Sequence, residues 1–238
     1  MSRVHESTAK GKPREQRREA TSARILDAAQ QILEAEGLEG LTMQRLAAEV
    51  GFTVGASYRY FASKDELVAA LQRRVFEALG EDLAAALSRH DARHSRPGML
   101  PALTRVAIVA RVYSTLGARR PTDARLLALL TADPRNVLGS GLGEANTQVA
   151  LRVGGQAIAV LAAARAERAL AEGDDLERGL VLWASLQGIA QTRKLEKWGV
   201  PGLASDRLAD ALVRALLVGW GAEPARASEA LARATELV

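Results

Sequence analysis

The 238-residue sequence predicts an all-α protein, and three observations carry that expectation. Ala, Leu, Arg and Glu dominate, and all four are strong helix formers. Apolar side chains recur at helical spacing, as Ile25, Ala29 and Ile32 do at i, i+4 and i+7. Val and Ile are scattered, and no long alternating segment suggests a strand. A 48% hydrophobic share with 25% charged residues suits a chain that folds around a buried core. There is no cysteine, which excludes disulfides and thiol catalysis. No apolar run approaches the ~20 residues of a membrane span. The opening "MSRVHESTAKGKPREQRREA" lacks the apolar segment of a secretory signal. The expectation is a cytoplasmic protein with no membrane partner.

Charge is distributed unevenly. Residues 1–24 hold seven basic side chains (Arg3, Lys10, Lys12, Arg14, Arg17, Arg18, Arg24) against three acidic ones, which equals the whole net charge of +4. A basic polar arm, taken as residues 1–20, suggests an anionic partner or a solvated flexible tail.

The first helix is expected after this arm, capped by Thr21 or Ser22 and ended by Gly37 in a left-handed turn. A short second helix follows in "TMQRLAAEVG", with Thr42 as N-cap, Leu46, Ala47 and Val50 inward, and Gly51 as the stop. Thr53 can cap a third helix, "VGASYRYF". Ser63 and Glu66 form an S-x-x-E capping box for a long fourth helix reaching about His90. "DARHSRPGMLP" then breaks the chain. Further helices are expected around 103–116, 122–131, 144–171, 176–197, 206–220 and 225–237, with Pro224 in the first turn of the last. "GSGLG" at 139–143 lacks the strand and the Gly-Lys-Ser/Thr ending of a phosphate loop, and is read as a connection.

Helices two and three form a helix-turn-helix, whose second member enters the DNA major groove. Four of the nine aromatic residues, Phe52, Tyr58, Tyr60 and Phe61, fall here. Phe52 and Phe61 bracket the third helix and are expected to pack inward. Tyr58 and Tyr60 are two apart and cannot share a helical face, so at least one points outward, where its hydroxyl can meet a phosphate. Lys64, in the first turn of helix four, opposes the helix dipole, a cost that a phosphate would offset. Gly55 and Ala56 are small enough for close approach to a groove.

"TMQRLAAEVGFTVGASYRYFASKDEL" resembles the DNA-binding signature of the TetR family of transcriptional regulators, with Thr42, Leu46, Ala47, Gly51, Gly55, Tyr58, Tyr60, Phe61, Lys64 and Leu67 in register. The resemblance covers about residues 21–70. It implies phosphate contacts for Thr42, Tyr58, Tyr60 and Lys64. It places Thr53, Val54, Ser57 and Arg59 where the family reads bases, and Arg59 could meet a guanine edge. It also implies a helix-turn-helix domain over 21–68 and a helical ligand-binding and dimerisation domain over 69–238. The implied protein is a homodimeric repressor on a palindromic operator in double-stranded DNA, released by a small-molecule effector.

Within the second region, Leu176, Leu180, Trp183 and Gln187 form one helical stripe, and Leu208, Leu212, Ala215 and Leu216 another. Both are candidates for the dimer interface or for the subunit's own core. "LVLWASLQG" is similar to a segment found in part of the family with His in place of Gln187. Val106, Val109, Tyr113, Leu126, Leu130, Leu142 and Leu161 are candidate pocket residues, and their apolar character points to a hydrophobic effector. No cofactor, metal or catalytic residue is expected. The alternatives are an all-helical enzyme, for which His90 and His94 at i, i+4 are the one metal-like pair, or a protein-interaction module.

Overall fold

The structure, a computed structural model, describes residues 12–93, 101–132, 141–199 and 204–238. Among these, ten α-helices and one 3₁₀ segment account for the ordered elements, and there is no strand. Two compact units divide the chain, residues 1–72 and 73–238, and the division falls inside one helix.

The first unit contains α1 (Lys12–Gly40), α2 (Met43–Val50), α3 (Val54–Tyr58) and the start of α4 (Lys64–Arg93). α1 begins earlier than Thr21 or Ser22, with Pro13 in its first turn, where a missing N–H costs nothing. Thr21 is therefore interior, and its hydroxyl donates to the Arg17 carbonyl at 2.8 Å instead of capping. The helical path breaks at Gly37, as its residue type suggests, at φ 73° and ψ −171° rather than in the left-handed helical well. That corner of backbone space is open essentially to glycine alone. Ile25, Ala29, Ile32 and Leu33 of α1 close over Leu41, Leu46, Ala47, Phe61, Leu67 and Leu71. Each large side chain so buried contributes about 1.5–3 kcal/mol relative to exposure.

The second unit is organised around α5 (Pro101–Arg119), which packs against α6 (Pro121–Ala132), α7 (Gly141–Ala166), α8 (Asp175–Thr192), α9 (Ser205–Gly219) and α10 (Pro224–Leu237). A helix touched on so many sides must be apolar nearly all round, and Leu103, Val106, Ala107, Ile108, Val109, Ala110 and Val112 are all buried. α7 and α8 approach closely at Gly179, where an added Cβ would stand 3.2 Å from Ile158 Cγ1. Ion pairs tie the rim: Arg111 to Asp210 at 3.1 Å, Arg120 to Asp82 at 2.7 Å and Arg165 to Asp175 at 2.9 Å. The buried Arg178 guanidinium stacks over Trp220 at 5.7 Å. Glu223 caps α10, accepting from the Ala225 and Arg226 amides, with Pro224 at the first position. These two bonds hold the Glu223 carboxyl below its usual range.

Three expectations change. Gly141 and Gly143 lie inside α7 rather than in a loop, while residues 139–140 are outside the described residues. The helix expected over 176–197 ends at Thr192 and continues as a 3₁₀ segment, Arg193–Trp198, closed by Gly199 at φ 64°. α7 also contains a 21-residue stretch, Asn146–Ala166, with a mean hydropathy of 1.3, so one helix is long and apolar enough for a membrane span after all. It carries Arg152 and Arg165 and packs on α5 and α8, as a helix of a globular unit does.

Candidate nucleic-acid interface

The interface is built by four local hydrogen-bond devices in residues 42–66. Thr42 leaves the helix in extended geometry, and its hydroxyl accepts from the Arg45 amide at 3.1 Å, starting α2. Gly51 stops α2 at φ 72° and ψ 31°. Its amide bonds to the Ala48 carbonyl at 3.3 Å and the Phe52 amide to the Ala47 carbonyl at 2.8 Å, the paired bonds of a Schellman turn. Thr53 then starts α3 by accepting from the Ala56 amide at 3.2 Å. Ser63 accepts from the Glu66 amide at 3.0 Å, and Glu66 reaches back to the Ala62 amide at 2.5 Å. That box is shifted one residue from the usual reciprocal pair, in which the glutamate would take the amide of Ser63 itself.

α3 is only five residues long, and its two sides differ sharply. Thr53, Val54, Gly55, Tyr58 and Arg59 face outward, with Val54 37% and Tyr58 46% exposed. A Cβ placed on Gly55 would meet nothing within 4 Å, so no packing inside the protein requires a glycine there. An external surface brought close to α3 would. Thr42 and Thr53 each spend one oxygen lone pair on capping, and each hydroxyl hydrogen remains to be donated.

Ser57 is the clear correction. It is 0% exposed, and its Oγ has no hydrogen-bond partner among the described residues. Facing the core at the point where an apolar side chain would fit, it does not reach a base edge. Val54 and Ser57 are three apart, a spacing that puts neighbours on one helical face, so both the spacing and the polar side chain invite an outward assignment from sequence.

The aromatic cluster also divides differently. Phe61 is buried, but Phe52 is half-buried and stacks on Tyr60, ring centroids 6.1 Å apart at 27°. Tyr60 is held by that contact and half-buried, while Tyr58 stands free of it. Lys64 is half-buried, and its ammonium donates to the Leu38 carbonyl at 2.9 Å. That carbonyl offsets the cost of a cation in the first turn of α4, and two ammonium hydrogens stay available. Arg45 is bonded to Glu36 at 3.0 Å and Glu49 at 2.6 Å, so its charge is largely neutralised locally.

In the second unit, Val106, Val109, Leu126 and Leu161 are buried on α5, α6 and α7. The side chains of Leu130 and Leu142 lie outside the described residues. Tyr113 donates to Gln187 Oε1 on α8. Burial pushes the Tyr113 phenol up to about 12, against a smaller opposing hydrogen bond with Trp183. Gln187 is thus corrected as well: at 8% exposure it faces α5 rather than continuing the outward stripe. Leu176, Leu180 and Trp183 do project from α8, joined by Val181. On α9, Ala209, Val213 and Leu217 take the core, leaving Leu208, Leu212 and Leu216 half-buried beside it. His90 is buried with Nδ1 3.5 Å from Asp91, and His94 lies outside the described residues. Among the described residues no three His, Asp or Glu side chains converge as metal ligands.

Two capped helices joined by a Schellman turn, with the second helix bare on its outer side, define the helix-turn-helix class. Residues 25–71 match the family of bacterial regulatory proteins, tetR family. It is 49% identical over 55 residues to the HTH-type transcriptional repressor DrrR1 of Streptomyces coeruleorubidus, a match covering 23% of this chain and 20% of that protein. It is 33% identical over 72 residues to the HTH-type transcriptional regulator BetI of Brucella suis biovar 1, covering 30% and 36%. The chain thus spans between a fifth and about a third of the curated relatives it matches. The solved structure of RolR in complex with resorcinol shares the fold over 92% of this chain and 96% of its own, with a TM-score of 0.65 at 19% identity.

Proposed function

We propose that the chain is a homodimeric, cytoplasmic transcriptional repressor that binds a palindromic operator through α3 and is released by a small hydrophobic effector. The observation that carries this reading is the one-sided α3: capped, anchored by Phe61 and the Phe52–Tyr60 stack, and bare where a major groove would meet it. Val54, Thr53 and Arg59 would read base edges. Thr42, Tyr58, Tyr60 and Lys64 would hold phosphates on either side and set the register. Ser57 has no part in the contact.

Leu176, Leu180, Val181 and Trp183 support a dimer seam along α8, flanked by α7, of whose most apolar window only 22% is buried within the chain. Two-fold pairing would present two α3 helices to two half-sites. The buried apolar residues of α5, α6 and α7 favour an apolar effector. Effector binding would favour a subunit arrangement that no longer fits the half-site spacing.

Selection of binding sites from random oligonucleotides at low salt, followed by gel-shift measurement, tests the reading. Enrichment of an inverted repeat is expected. Failure to enrich any such site without effector would sink it.

A further inference from the structure

We infer that the N-terminal part of α1, residues 12–24, is a second DNA-binding element that grips the duplex backbone outside the contact made by α3. This rests on the proposed function and extends it to a segment that lies ahead of the family match, which begins at residue 25.

The first observation is how the helix sorts its charges. Arg14, Arg17, Arg18, Thr21 and Arg24 are spaced so that, at 3.6 residues per turn, they fall within an arc of about 120°. Glu15 and Glu19 fall roughly 120–160° from the centre of that arc. Continued along α1, the same arc carries Ile25, Ala28 and Ile32, which are buried against the rest of the first unit. The strip is apolar where α1 meets its own core and basic where it runs past it. The guanidinium groups therefore project along the line of the face that α1 buries from Ile25 onward, the face that meets the rest of the first unit.

The second observation is that these cations are unspent. Arg14, Arg17, Arg18 and Arg24 are all exposed, and among the described residues none forms an ion pair. Three of them stand in the first two turns of a helix, where the positive end of the macrodipole disfavours cations. An anionic partner removes that penalty. The segment holds no large apolar side chain between Lys12 and Arg24, so a membrane surface, which needs an apolar face to enter, fits poorly. From Arg14 to Arg24 the helix extends about 15 Å. Duplex DNA offers one phosphate per ~1.7 Å of axis over the two strands, enough for each arginine to find its own.

The test is the salt dependence of binding to the selected operator, followed by fluorescence anisotropy on the full chain. In the triple variant Arg14→Gln/Arg17→Gln/Arg18→Gln, the slope of log K against log salt should become shallower by about 3 per subunit, at ~0.9 per lost phosphate contact. Affinity near 150 mM salt should fall by roughly tenfold or more, equally for operator and scrambled DNA. Circular dichroism checks that the helix persists. The triple Arg→Lys variant should restore the slope, and Glu15→Gln/Glu19→Gln should not weaken binding. An unchanged slope in the glutamine variant overturns the inference while leaving α3 as the reading helix. So does loss of binding to phosphatidylserine vesicles with DNA binding intact, which would assign the strip to a lipid surface. If the wild-type chain binds no DNA at any salt, the proposed function falls first and this inference with it.

Discussion

The Lys64 ammonium donates a 2.9 Å hydrogen bond to the Leu38 carbonyl, joining the first turn of α4 to the chain just past the break in α1 at Gly37. A residue that sequence alone assigns to DNA is thereby also a brace within its own domain. Replacing Lys64 by Ala should act twice. Affinity for all DNA sequences should fall alike, with the salt slope shallower by about 1. Stability in urea should fall by about 1 kcal/mol as a partly buried, charge-assisted hydrogen bond is lost. Affinity loss with unchanged unfolding would show the brace to be idle.

Ser57 should behave in the opposite sense. Its hydroxyl is sealed from solvent and unpartnered, so Ser57→Ala removes a desolvated polar group at little change in volume. The expected result is a gain of up to about 1 kcal/mol in unfolding free energy, with operator preference unchanged. Altered base preference in a selection experiment would restore Ser57 to the reading surface.

α8 offers a test of assembly. Leu180 is 56% exposed at the centre of its outward stripe, so Leu180→Glu should not disturb the subunit's own core. Sedimentation should show a shift from dimer towards monomer, and operator affinity should drop steeply because two half-sites are no longer held by one particle. A variant that remains dimeric at micromolar concentration would move the seam elsewhere.

Tyr113 predicts a pH signature. Its phenol is raised from the ordinary value of 10 to about 12 in the folded chain. Above pH 10 the unfolded state sheds this proton first, so the folded state binds more protons and stability falls as pH rises. The contribution is fully present below pH 10 and lost by about pH 12, at most about 3 kcal/mol. Tyr113→Phe should flatten that alkaline limb relative to wild type in urea melts at pH 9–11. Identical slopes would show that the phenol is not shielded.

Much of the helix-turn-helix could be read directly from sequence because its instructions act over three or four residues. Thr42, Gly51, Thr53 and Ser63 each bond to a backbone group within that range or supply a left-handed turn, and all four do so in the structure. The all-α class followed similarly from composition and period. Even the early start of α1 had a signal, since Pro13 opens a run with no glycine before Gly37. Thr21 and Ser22 drew the boundary to the wrong place because a hydroxyl can cap a helix or bond back within one.

Tertiary structure alone decided the rest. Whether position 57 faces a groove or the core depends on the rotation of a five-residue helix too short to display a period. Gln187 shares the i+4 spacing of Trp183 but turns to Tyr113, because α5 runs beside the end of α8 and offers a phenol to a buried amide. Lys64 finds a carbonyl 26 residues earlier in the chain. Sequence determined where α2, α3 and α4 begin and where α2 ends, through local hydrogen bonds. Which face each helix spends on its own core was settled only by the packing of neighbours, because burial is a property of what lies opposite.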